Sequence, residues 1–206
     1  MDTIKLEQII REKYGNTGAI IVQKNGVSVY EYYENECTKN SPFHVFSVTK
    51  SILSILIGIA IDNGYIKSIH QPILDFFPDY IVKKREKTIQ SITLYHMMTM
   101  IAPYKYKYAP VIGPDIFSGI IENTTAMTVL NFAKKYLFEP LEIEVPGDII
   151  FHNKEEHSFA ALGDGGNVIY INPKENMVII IASYFKPRVK DRMKLIKEYI
   201  EPMWKE

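Results

Sequence analysis

The 206-residue chain is 47% hydrophobic and 12% aromatic, enough apolar material to bury a substantial core in one compact unit. Its 24 basic and 24 acidic residues cancel, which excludes a global field drawing the chain to nucleic acid or to an anionic membrane. The single cysteine, Cys37, cannot form an internal disulfide, and the opening MDTIKLEQIIREKYG is charged and amphipathic rather than basic and then apolar, so a cytoplasmic protein is expected.

In chain order, Leu6, Ile9, Ile10 and Tyr14 recur at helical spacing. TGAIIVQKNGVSVYEYY then reads as two strands joined at Asn25-Gly26, a strong hairpin signal. From Ser47 to Leu141 the pattern is mostly helical: the run after Thr49, a segment around TLYHMMTM, PDIFSGIIENT and AMTVLNFAKKYLF, with Pro and Gly between them. The longest apolar run, Ser51 to Ile61, is too short to cross a bilayer and predicts a buried helix. NVIYINPKENMVIIIASYF reads as two β-branched strands with a turn at Pro173 to Asn176, and Val189, Met193, Ile196, Ile200 and Trp204 make one helical stripe. No repeat or linker interrupts the chain. The expected fold is α+β and a single domain: residues 1–35 and 159–206 form one antiparallel sheet with terminal helices over it, and residues 36–158 are mainly helical.

Chemistry concentrates in FHVFSVTKSILSILIGIAIDNG, where Ser47 and Lys50 stand three apart at a predicted helix start. That spacing puts both side chains on one face, within reach of each other. A helix N-terminus carries free N–H groups and partial positive charge, a setting that suits an amine acting as proton acceptor and can hold an oxyanion. Ser47 as nucleophile with Lys50 as base is therefore one reading. A capping serine beside a solvated lysine is the other, and spacing alone does not separate them. A chain of this length contains roughly one Ser-x-x-Lys by chance. Ser183 to Lys186 also matches, at a strand end with no helix to present it.

Four blocks, FHVFSVTKSILSILIGIAIDNGYIKSIHQPILDFFPDY, ITLYHMMTM, NFAKKYLFEPL and FAALGDGGNVIYINPKENMVIIIAS, resemble in order the β-lactamase-related serine hydrolases. That family includes class C β-lactamases, penicillin-binding DD-peptidases and esterases. The resemblance implies an antiparallel sheet with flanking helices plus a helical region, and metal-independent cleavage of an ester or amide through an acyl-enzyme. It implies Ser47 as the acylated serine and Lys50 as its proton acceptor. The family's Tyr-x-Asn motif falls on Tyr108-Ala109-Pro110: the proton-sharing tyrosine carries over, but Pro110 has no amide to hold substrate. The Lys-Thr-Gly or His-x-Gly motif falls on Asp164, Gly165 and Gly166, with the Asn167 N–H as second oxyanion donor; read without the family, the same residues are an ordinary turn. Asp164 replaces a cation there, which argues against a substrate carboxylate and against penicillin as the preferred substrate.

Relative to the family the chain is short between MTM and YKYAP and between LFEPL and FAALGDGG, mostly helical material. The alternative function is thus a weak or inactive binding or scaffold protein of the same fold. Exposed apolar surface left by the shortening would make it a homo-oligomer. YKYKYAP offers tyrosines that can pack and lysines that face water, too little charge for a nucleic-acid contact. Histidines 44, 70, 96, 152 and 157 lack metal-ligand spacing, and the Walker, Gly-x-Ser-x-Gly and His-Glu-x-x-His motifs are absent, so neither a metal nor another cofactor is expected. The expected partner is a small-molecule or peptide-like acyl substrate.

Overall fold

A computed structural model describes residues 2–99, 114–141 and 158–205. The helices are α1 (Thr3–Lys13), α2 (Thr49–Asp62), α3 (Leu94–Met98), α4 (Pro114–Thr125), α5 (Val129–Ala133), α6 (Arg192–Leu195) and α7 (Glu201–Trp204). The strands are β1 (Thr17–Lys24), β2 (Val27–Tyr33), β3 (Phe159–Gly163), β4 (Asn167–Asn172) and β5 (Met177–Ser183). The chain divides into two compact units, residues 1–52 with 147–206 and residues 53–146, and the boundary falls inside α2.

In the first unit all strands are antiparallel, in the order β2-β1-β5-β4-β3. The hairpin forms where Asn25-Gly26 predicts it: both residues take positive φ, 52° and 75°, the primed turn whose twist matches its strands. Asn176, at φ 44°, closes the β4–β5 turn by donating its N–H to the Pro173 carbonyl. Helix α1 starts because the Asp2 carboxylate accepts the Lys5 N–H at 2.8 Å. Its Leu6 and Ile10, with Tyr14, bury against Ile20, Val22, Tyr170, Ile179 and Ile181 on one sheet face. Each such aliphatic side chain, fully buried, contributes about 1.5–3 kcal/mol.

The C-terminal helix covers the same face with Leu195, Ile196 and Ile200. It starts at Arg192 under an Asp191 cap, so Val189 precedes it, and a π-turn over Ile196–Ile200 shifts the stripe to include Leu195. Buried Glu201 ties this helix to the sheet by accepting from the Tyr170 hydroxyl and the Asn172 amide and pairing with Lys197.

In the second unit the predicted helices appear with small shifts. Leu56, Ile57, Ile120, Ile121 and Phe132 are among its most deeply buried apolar residues. Helix α3 begins in a capping box: the Thr93 N–H donates to His96 Nδ1 at 3.1 Å, a structural use for that histidine. Asn123 donates to the Phe76 carbonyl, which ties α4 to the segment that follows α2.

Candidate active site

Ser47 sits in a 3₁₀ turn, Phe46–Val48, that runs directly into α2. Phe46 takes φ 51°, left-handed backbone that costs a bulky residue of order 1–3 kcal/mol. Its neighbours hold it there: the Thr49 hydroxyl donates to the Phe46 carbonyl, and the ring packs on His44 and Phe185 at 4.3 and 5.3 Å. This bend turns Ser47 onto the start of the helix, and the N–H groups that follow it, of Val48 and Thr49, donate to the Val45 and Phe46 carbonyls. Lys50 Nζ donates to Ser47 Oγ at 3.4 Å, long for a hydrogen bond, and both side chains are half-buried.

The glycine turn packs against this segment. A Cβ on Gly163 would stand 2.2 Å from the Val45 carbonyl oxygen and 3.0 Å from Val48 Cγ2, so only glycine lets the end of β3 reach the serine turn. After it Asp164 is exposed, while Gly165 and Gly166, at φ 78° and 93°, are buried in a bend that favours glycine. Asn167 is 1% exposed; its Nδ2 donates to the Asp164 carbonyl at 2.8 Å and to the His44 carbonyl at 3.4 Å. The structure thus brings Ser47, Lys50, Asp164, Gly165, Gly166 and Asn167 together within the first unit. Tyr108 and Pro110, like His152 and His157, lie outside the described residues.

Three residues that sequence reading did not place at the site also meet at this turn. Asn16 donates to the Gly165 carbonyl, buried Ser183 donates to the Gly166 carbonyl, and Arg192 donates to Asn16. Arg192 is 3% exposed, and burial pushes its guanidinium down to about 10, opposed in part by Tyr14. A cavity of about 490 Å³ lies against the turn, between Leu162–Val168 and Phe185–Arg192. Among the described residues no group of three His, Cys, Asp or Glu side chains is placed to hold a metal, and no helix is long and apolar enough to cross a membrane.

The sequence profile described as Beta-lactamase matches residues 6–147, well over half of the chain. The chain belongs to the beta-lactamase family. It shares its α+β architecture with solved structures. A class C beta-lactamase from Rhodobacter sphaeroides is 11% identical at TM-score 0.70, over 97% of this chain and 98% of that one. FmtA from Staphylococcus aureus is 14% identical at 0.67, over 98% and 89%. The octameric penicillin-binding protein homologue from Pyrococcus abyssi is 13% identical at 0.66, over 100% and 78%. At these identities the likeness is one of fold. A search of curated proteins finds no match. The profile spans Ser47 and Lys50 but stops before the glycine turn, so Asp164 to Asn167 enter the site through the tertiary contacts above. The family and the fold are both those of beta-lactamase-related proteins.

Proposed function

We propose that the chain is a serine hydrolase that cleaves an ester or amide through an acyl-enzyme on Ser47. The observation that carries the reading is the Lys50 amine 3.4 Å from Ser47 Oγ, at a helix start packed on the glycine turn. In the acylation step Lys50 takes the Ser47 proton while Oγ bonds to the substrate carbonyl carbon, whose π electrons move onto oxygen. The N–H groups of Ser47 and Asn167 hold that oxyanion. The tetrahedral intermediate then collapses, the C–O or C–N bond breaks, and the leaving group departs with a proton returned through Lys50 and Tyr108. Water, deprotonated by the same groups, releases the acyl chain as an acid and restores Ser47. No step calls for a metal. Asp164 in place of a cation favours an acyl donor without a carboxylate at that position.

Intact-mass spectrometry after exposure to an alkyl fluorophosphonate, and separately to a β-lactam, tests the reading. One adduct per chain is expected with the fluorophosphonate, absent from Ser47→Ala. A folded wild-type protein that stays unmodified by either reagent overturns the reading in favour of a non-catalytic scaffold.

A further inference from the structure

The glycine turn has an uncommon property: each of its three carbonyl groups is gripped by a side chain. Asn167 Nδ2 holds the Asp164 carbonyl at 2.8 Å, Asn16 Nδ2 the Gly165 carbonyl at 2.7 Å, and Ser183 Oγ the Gly166 carbonyl at 3.1 Å. Within a planar trans peptide the C=O of one residue and the N–H of the next point in opposite directions. Holding the Gly166 carbonyl on the Ser183 side therefore turns the Asn167 N–H away from β5, to the side of β3 and Gly163. Holding the Gly165 carbonyl likewise fixes the direction of the Gly166 N–H.

The grips are themselves fixed. The Asn16 amide also donates to the Tyr184 carbonyl at 2.7 Å, and its Oδ1 accepts from the Arg192 guanidinium at 2.6 Å, so both ends of the amide are spoken for. The guanidinium lies 3.5 Å from Ser183 Oγ, donates to the Lys190 carbonyl at 3.1 Å and stacks 5.0 Å from the Tyr14 ring centroid. These acceptors are all neutral. Arg192 Nε is buried and has no partner among the described residues. A buried cation held only by neutral groups costs stability, which a role in bracing Asn16 and Ser183 accounts for. Gly166 belongs to the same arrangement, because a Cβ there would stand 2.9 Å from the guanidinium carbon.

We infer that Asn16, Ser183 and Arg192 are positioning residues that hold the glycine turn, and with it the second oxyanion donor, in place against the Ser47 turn. The inference rests on the acyl-enzyme reading of Ser47. Asn16→Asp removes the donor and keeps the acceptor. It keeps the acceptor facing Arg192, supplies that guanidinium with a carboxylate, and replaces only the donor to the Gly165 and Tyr184 carbonyls.

The measurement is the saturation kinetics of Ser47 labelling by an alkyl fluorophosphonate, read alongside the melting temperature. For Asn16→Asp the maximal labelling rate of the folded protein is expected to fall about tenfold, part of what losing a whole oxyanion donor costs, with the half-saturating concentration unchanged. Ser183→Thr and Ser183→Val, equal in shape, repeat the test: the threonine keeps the hydroxyl and labels several-fold faster than the valine. Equal maximal rates for wild type, Asn16→Asp and Ser183→Val overturn the positioning role while leaving Ser47 as nucleophile. Rates that fall only in proportion to lost folded protein overturn it as well. A wild-type chain that takes no label removes the Ser47 reading, and the positioning role with it.

Discussion

The chain contains two Ser-x-x-Lys tetrads, and the structure uses them in opposite ways. Ser47 and Lys50 stand at the start of a helix, half-buried, with the amine on the hydroxyl. Ser183 and Lys186 stand at the end of β5. There Ser183 is 1% exposed and its hydroxyl is committed to the Gly166 carbonyl, while Lys186 is exposed and its chain continues into Pro187. Equal spacing produces a pair only on a helix, where residues three apart share a face. On a strand, side chains alternate, and the residues beyond Ser183 leave the strand altogether. The second serine is not idle, since it braces the turn that lies against the first. One tetrad presents a hydroxyl, and the other spends its hydroxyl on holding backbone.

Substitutions at the two tetrads test that contrast directly. Ser47→Ala is expected to abolish fluorophosphonate labelling while leaving the circular dichroism spectrum intact; residual labelling at another serine breaks the contrast. Lys50→Ala, which removes the proposed base, is expected to slow labelling about 10²- to 10⁴-fold at unchanged melting temperature. Gly163→Ala strikes the packing between the two tetrads' surroundings. Its Cβ cannot fit 2.2 Å from the Val45 carbonyl, so a loss of about 1–3 kcal/mol in urea unfolding should accompany slower labelling. Ser183→Ala leaves the Gly166 carbonyl without its donor, and about 1–3 kcal/mol of stability should be lost for that reason. Lys186→Ala is the control: unfolding within about 0.5 kcal/mol of wild type, and an unaltered labelling rate.

Much of the framework is legible along the chain because it depends on neighbours. Asn25-Gly26 turns the hairpin, Leu6, Ile10 and Tyr14 mark one buried helix face, and the apolar run after Thr49 forms α2. Two local details were not legible. The C-terminal helix begins after Val189 because Asp191 caps it, and its stripe includes Leu195 because a π-turn changes the period. Residues 36–52 precede a mostly helical stretch, yet they cluster with the sheet, since Val45, Val48 and His44 meet Gly163 and Asn167.

By itself the sequence determined four of the five strands, the main helices and the helix-start spacing of Ser47 and Lys50, because those follow from propensity and spacing over a few residues, whereas β3 carried no strand signal of its own. The tertiary structure decided what surrounds that pair. Asn16 reaches Gly165 across 149 positions and Arg192 across 176, and neither shows a local signal. They meet at the turn because β1 pairs with β5 and β5 with β4, which places the end of one terminus beside the start of the other. Strand order is a property of the whole sheet, so residues that depend on it can be identified only once the sheet is assembled.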